Sequence, residues 1–374
     1  MGQSGTARKG GGSALQARFT MPSRDRGFRE GTVPSGDLRS RLASLGFVET
    51  AASPLSFDRW PAGGVVEVVG TRAALGTRVS LTVVVPAAPQ GEAAIATAFD
   101  ELDRLAGIFS RHDPHSALSA LNDAGRLLGP PPELSRVASR ALGLHAATRG
   151  AFDVTVKPVL DLLAARLPAA PPTDAEFAER VALVDARNVR LAGGSIRFAR
   201  EGMGMTLDGI AKGYIVDRMA AALERLRIRR FLIDAGGDIR VRGSNARDAP
   251  WVIGVRDPAG GEGFPEVITL PWGAVATSGG YERFYDAERR YHHIVSPGTG
   301  RSPGEIASAS VAAPDAITAD ALATAVFVLG ADQGLALIDR LPRCAALVLD
   351  AAGRRRRSRR WAALAAPLPE GTPS

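Results

Sequence analysis

Apolar positions recur along this chain with two different periods. VVEVV at 65–69 and GTRVSLTVVVP at 76–86 alternate and are rich in β-branched residues, which predicts strands. Ile95, Phe99, Leu102, Leu105 and Phe109 fall at three- and four-residue steps and predict an amphipathic helix. A second helix is expected from about Pro132 to Thr148, stopped by Gly150, and a third after Gly209. Short strands are then expected in RRFLIDA, DIRVRG, WVIGV, AVATS, ERFYD and YHHIVS, separated by Gly, Pro and Asp. Two helices, near 318–329 and 332–341, precede a last strand at 345–349. No internal repeat is evident. The order implies an α+β domain of mixed α/β character, with helices packed on the faces of mixed, largely antiparallel sheets.

The same pattern sets the domain boundaries. Residues 1–62 are rich in Gly, Ser, Arg and Pro, their only apolar cluster is Leu42 to Val48, and they are expected to form a flexible leader. Residues 63–352 form the expected catalytic domain, and 353–374 a basic C-terminal edge strand or tail.

Composition changes this picture in three places. With 45% apolar residues in 374, the chain can bury a core, so disorder is not the default. Cys344 is the only cysteine, which excludes an internal disulfide and a cysteine-based zinc site, and in CAALVLD it reads as a small buried hydrophobe. The net charge of +7 is concentrated in the six arginines of Arg354 to Arg360, so the rest of the chain is nearly neutral. That run is read as an edge strand anchored by Trp361, with clustered charge discouraging edge pairing. The competing reading, a nucleic-acid or anionic-lipid contact, has no organised basic or aromatic groove elsewhere to support it, so no nucleic-acid partner is expected. No stretch is expected to reach the ~20 apolar residues of a membrane span. The first sixty residues lack the apolar core of a secretory signal, so the protein is expected in the cytoplasm unless its export signal is not visible in this sequence.

Glycine-rich motifs carry the candidate chemistry. In MTLDGIAKGYIVDR a glycine-broken strand end runs into a helix, presenting free N–H groups and a positive dipole end to an anion. In FLIDAGGDIR the paired glycines permit positive φ and a close backbone approach, as an ordinary hairpin also would. In TSGGYERF a Ser-Gly-Gly turn leads into an expected aromatic-bearing strand. In YHHIVSPGTGRSP two histidines adjoin on one expected strand, so only one faces a given site. Such a histidine is more often structural than catalytic, yet histidine is the usual base near neutral pH. In AITADALATAVFVLG, Asp320 and Thr324 lie one helical turn apart. They offer either hard oxygen ligands for magnesium or a dipole-complementing carboxylate beside an inward-packed threonine.

Taken in order, ALGTRVSL, FSRHDPHSALSALN, GAFDVTVKP, TLDGIAKGY, DAGGDIR, TSGGYERF, HHIVSPGTGRSP and TADALATA resemble the FAD:protein FMN transferase family of ApbE type, across roughly residues 70–350. The resemblance implies a Mg2+-dependent transfer of FMN from FAD onto a threonine or serine of an acceptor flavoprotein, a subunit of a membrane redox complex, with release of AMP. It implies magnesium held by Asp320, Thr324 and the carbonyl of Gly209, and His293 as the base. It places Leu75, His112, Ala151, Phe152, Asp153, Thr206 and Lys212 on the flavin dinucleotide, with Gly236, Ser278, Gly279 and Tyr281 nearby. A periplasmic or cell-envelope location also follows from the resemblance. Three positions depart from the family's pattern: Leu75 stands for methionine, His112 for tyrosine or tryptophan, and Thr206 for aspartate, with Asp208 two places later. The same residues would also serve hydrolysis of FAD to FMN and AMP, or a non-catalytic flavin carrier.

Overall fold

The alternating segments fold as a hairpin of β2 (Val65–Ala74) and β3 (Thr77–Val85), paired from Val66↔Val85 to Ala74↔Thr77. Along β3, Val79, Leu81 and Val83 are fully buried in the larger core while Val84 joins a second core on the opposite face, the period of two that a pleated strand imposes. The structure is a computed structural model that describes residues 54–365 except 168, 261 and 262.

One strand precedes the expected start of the domain. β1 (Ser56–Ala62) pairs with β2 from Ser56↔Thr71 to Ala62↔Val65, so the last seven residues of the expected leader belong to the sheet. Asp58, Arg59 and Pro61 conceal it in the sequence, and a proline is tolerated because β1 is an edge strand. The Leu42 to Val48 cluster lies outside the described residues.

The remaining elements follow in order. They are α1 (Ala88–Phe109), α2 (Ala117–Ala124), β4 (Arg126–Leu128), α3 (Pro132–Ala147), α4 (Lys157–Arg166) and α5 (Asp174–Val181), then β5 (Val189–Ala192), β6 (Ser195–Phe198) and α6 (Ala211–Arg225). After them come β7 (Phe231–Ala235), β8 (Asp238–Arg242), β9 (Trp251–Val255), β10 (Glu266–Leu270), β11 (Trp272–Gly279), β12 (Ile306–Ala313), α7 (Ala316–Arg340), β13 (Ala345–Asp350) and β14 (Arg355–Arg357). Nine strands form one antiparallel sheet in the order β1-β2-β3-β7-β8-β11-β12-β13-β14. Helices α1, α6 and α7 pack on one face, burying Phe99, Leu102, Met219, Leu322 and Val326. The β9–β10 hairpin and Trp361 cover part of the other. The fold is therefore α+β, as the sequence implies.

Several expectations are corrected. ERFYD and YHHIVS are not strands, and Gly280–Glu282 is a single 3-10 turn. Between the two segments only the bridge Phe284↔His292 forms. The buried carboxylate of Asp286 accepts the N–H groups of Arg290 and Tyr291 at 3.0 and 2.9 Å, curling the chain into an irregular loop where a ladder was expected. No strand precedes Gly209; residues 203–207 run without regular structure. The two helices expected at 318–329 and 332–341 are one element broken at Gly330, whose φ of 74° no helix accommodates. By length and composition α7 reaches the size of a membrane span, against expectation. It is apolar because it lies in the core, where Leu322, Ala323, Val326 and Phe327 are buried.

Within the arginine run Arg355–Arg357 form the edge strand β14, and four of the six arginines meet carboxylates. Arg354 meets Asp350 at 2.6 Å, Arg357 meets Glu266 at 2.6 Å, Arg359 meets Asp339 at 3.5 Å, and Arg356 meets Asp332. Arg360 donates to the carbonyls of Ile338, Leu341 and Cys344 at 2.8, 2.6 and 2.8 Å, closing the C-terminal end of α7. Trp361 is fully buried beneath it.

Candidate active site

One end of the large sheet is a rim of tight turns. Ala74 pairs with Thr77, so Leu75 and Gly76 form a two-residue turn with φ of 53° and 71°. A leucine in that region is strained, and its side chain is held by packing on the core. The next hairpin repeats the device: Ala235 pairs with Asp238 across Gly236 and Gly237, with φ of 68° and 97°. The side chain of Thr77 fills the space a side chain on Gly236 would need, which locks the two turns together.

Behind the rim, α6 and α7 approach closely at Gly213. A side chain there would run into the carbonyl of Ala316, and its N–H instead donates to Asp320 Oδ2 at 3.0 Å. Asp320 and Asp238 are both buried, and Lys212 Nζ stands 3.2 Å from Asp238 Oδ2. Burial first, then the neighbouring carboxyl of Asp238, push Asp320 well above the ordinary carboxylate range, while Lys212 and the Gly213 N–H act against them. Burial opposes the charge on Lys212, but Asp238, Asp320 and Glu282 outweigh it and hold the ammonium protonated. One turn beyond Asp320, Thr324 Oγ1 lies 3.2 Å from Ser278 Oγ at the end of β11. Gly209 abuts the same hydroxyl: a side chain there would come within 2.9 Å of Thr324 Oγ1. A buried carboxylate and two hydroxyls thus lie beside the Gly209 backbone at the mouth of the α6–α7 pair. Among the described residues no group of three or more His, Cys, Asp or Glu could form a metal cage. The carboxylate of Asp320 and the hydroxyl of Thr324 are hard oxygen donors, the type that a cation keeping water and phosphate ligands takes.

The facing wall is made of loops. Phe152 packs against Gly209, and the Phe152 N–H donates to Thr148 Oγ1 at 3.1 Å. Thr206 is tied to it by its N–H to the Val154 carbonyl at 2.8 Å. Asn122 grips Met205 from both sides, donating to its carbonyl at 2.9 Å and accepting its N–H at 2.7 Å. Arg111 pairs with Asp208 at 2.8 Å. Beside this pair, burial and then the Arg111 charge lower His112 to about 4. His293 donates its N–H to the Arg283 carbonyl at 3.3 Å, with Nδ1 3.4 Å from the same oxygen. Burial, then His292, lower it to about 4, so it is neutral at pH 7. His292 is the structural partner: Nε2 bonds the Pro303 carbonyl at 2.9 Å and its ring meets Phe327 edge-on at 5.5 Å. Tyr281 packs over Gly279 with the Arg256 guanidinium 5.3 Å from its ring centroid, and burial, then Glu282, push its hydroxyl up to about 12.

A family model described as the ApbE family matches residues 75–348 of this chain. The chain belongs to the ApbE family. An FAD:protein FMN transferase of Haemophilus influenzae is 33% identical over 56% of this chain, which spans 63% of that relative's length. The FAD:protein FMN transferase of Treponema pallidum is 33% identical over 70% of this chain and 78% of its own. Among solved structures, the ApbE protein of Thermotoga maritima superposes with a TM-score of 0.71 at 29% identity, covering 83% of this chain and 99% of its own.

Within this ApbE chain the structure brings together Asp320, Thr324, Gly209, Ser278 and Lys212, and Thr77, two residues after Leu75, seats against Gly236 on the rim. Asp153, expected on the dinucleotide, turns inward: its carboxylate accepts from the Thr155 and Ala186 N–H groups at 2.7 and 3.0 Å and lies 3.1 Å from His145 Nδ1. It orders the loop that carries Ala151 and Phe152, both buried. Sequence reasoning missed Asp238, Asn122 and Arg111. Asp238 directly follows the two glycines of the DAGGDIR motif, and a carboxylate after a double-glycine turn was the available signal. Arg111 and Asp208 are nearly a hundred residues apart, and only the fold pairs them.

Proposed function

We propose that this chain transfers FMN from FAD to a threonine or serine hydroxyl of an acceptor flavoprotein, releasing AMP. The observation that carries this reading is the buried pair Asp320 and Asp238 facing Lys212, beside the hydroxyls of Thr324 and Ser278. Asp320, Thr324 and the Gly209 backbone would hold a magnesium ion, whose bound charge would neutralise the pyrophosphate. The Lys212 ammonium, at the positive end of the α6 dipole, favours phosphate at the same place. His293, neutral and partly exposed, accepts the hydroxyl proton as that oxygen bonds to the phosphorus of the FMN half. The bond from that phosphorus to the AMP oxygen breaks, and AMP leaves. The Leu75 and Tyr281 surfaces orient the flavin, and the turn rim limits the approach of water. That the acceptor is a subunit of a membrane redox complex at the cell envelope rests on the family resemblance.

The test is mass spectrometry of a candidate acceptor coexpressed with this chain. The expected result is a covalent flavin mononucleotide adduct on a threonine or serine, present with the natural sequence and absent with Asp320→Ala. AMP release from FAD without acceptor, and no adduct with it, would convert the reading to a hydrolase. Retention of uncleaved FAD with magnesium and acceptor present would convert it to a carrier.

A further inference from the structure

The carboxylate of Asp217 has no part in the chemistry above, yet it reaches from α6 to the start of α7. Its Oδ1 accepts the N–H of Ala316 and its Oδ2 the N–H of Ile317, each at 2.9 Å. A helix leaves its first four N–H groups without internal partners. In α7 the cap Asp315 takes one of them, the Thr318 N–H at 3.0 Å, and a neighbouring helix takes two more. Four residues earlier on the same face of α6, Gly213 donates to Asp320. The two helices are therefore pinned at two levels, 217 to 316–317 and 213 to 320. Arg240 fixes the lower level from β8, standing 3.8 Å from Asp217 Oδ1 while it donates to the Pro314 carbonyl. The absent side chain at Gly213 lets the pins be this short.

We propose that Asp217 is a positioning residue that sets the axial register of α7 against α6, and through it where Asp320 and Thr324 present their oxygens. A helix rises about 1.5 Å per residue and turns about 100° with each, so a small slip at its first turn carries both ligands out of place together. The inference rests on the metal-holding reading of Asp320 and Thr324. It assigns Asp217 a role that an ordinary cap does not have, because Asp315 already caps the helix.

The experiment compares full-length Asp217→Asn, Asp217→Ala and Asp315→Ala. Asparagine keeps the shape of Asp217 but sets an N–H against one of the two backbone donors. Magnesium alone is titrated calorimetrically into each, and amide hydrogen exchange over 316–324 is followed without metal. Both Asp217 variants are expected to bind magnesium about 10- to 100-fold more weakly, the range seen when residues supporting metal ligands are lost. Exchange at Asp320 to Thr324 is expected to rise in them, while Asp315→Ala loosens only the first turn and holds magnesium within about threefold. Equal loss of magnesium in the Asp315 and Asp217 variants overturns the proposal, and so does unchanged exchange at Asp320 to Thr324 in Asp217→Asn. If the natural chain binds no magnesium, the metal-holding reading falls, and exchange still decides whether Asp217 sets the register.

Discussion

The two walls of the site are built differently. The charge-holding wall stands on regular elements: Lys212 opens α6, Asp238 opens β8, Ser278 nears the end of β11, and Asp320 and Thr324 share a face of α7. The other wall, which carries the proposed base, stands on loops: His112, Thr206, Asp208, Arg283 and His293 lie outside regular helices and strands. Their positions come from a few side-chain hydrogen bonds, such as the two of Asn122 on Met205 and those of Asp286 on Arg290 and Tyr291. Elements fixed by ladders and packed faces can hold converging carboxylates at close range despite their repulsion. Loops held bond by bond can adjust to a substrate, and losing one bond matters more there.

The sharpest way to break the comparison is to strike the rigid wall at its centre. Asp320→Ala should leave no detectable transfer of FMN in an acceptor-labelling assay while preserving the fold by circular dichroism. Measurable transfer with Asp320 gone would mean that Asp238 or another group carries the charge-holding role.

His293→Ala should slow transfer by about 10²-fold or more, the ordinary contribution of a positioned base. The pH profile sharpens this. A base held at about 4 is neutral above that value and loses its accepting form only as pH falls through it. With magnesium and FAD saturating, so that the bound metal keeps Asp320 ionised, the rate should therefore stay level from about pH 8 to pH 5, whereas an unperturbed histidine gives an acid limb near about 6.5. A limb at that ordinary position would mean that another group takes the proton.

A smaller effect tests the loop wall's dependence on a few side-chain bonds. Asn122→Ala leaves the Met205 N–H and carbonyl without their partner, and each unmet buried group costs about 1–3 kcal/mol. Because Met205 leads into Thr206 and Asp208, the FAD concentration for half-maximal rate should rise before the unfolding midpoint in urea falls far. The reverse order, stability lost with FAD affinity intact, would show that this loop is scaffold and not site.

The difference between the walls also explains what the sequence disclosed. Asp320 and Thr324 were legible because helical spacing places i and i+4 on one face without any other knowledge. The hairpin at Gly236 was legible because two glycines between apolar runs have few other uses. ERFYD and YHHIVS were misread as strands because their aromatic and β-branched residues match a strand's composition, while the buried Asp286 that curls them acts through contacts four and five residues away. β1 was lost because its exposed edge carries Asp58, Arg59 and Pro61 and has no alternation to reveal it. The short helices α2, α4 and α5 span eight to ten residues each, too few turns for a clear period. Arg111 with Asp208 leaves no local trace at all.

The smallest expected effect concerns the rim. Leu75 already has a positive φ of 53°, so its backbone strain is present whatever the side chain. Leu75→Met conserves volume, and such exchanges cost less than about 1.5 kcal/mol. The unbranched thioether adapts better to a flat ring than leucine does. FAD affinity, followed by flavin fluorescence, should therefore tighten slightly, by about threefold at most, with the unfolding midpoint almost unchanged. Weaker FAD binding in Leu75→Met would mean that the branched side chain supports the turn itself and that the flavin does not rest on it.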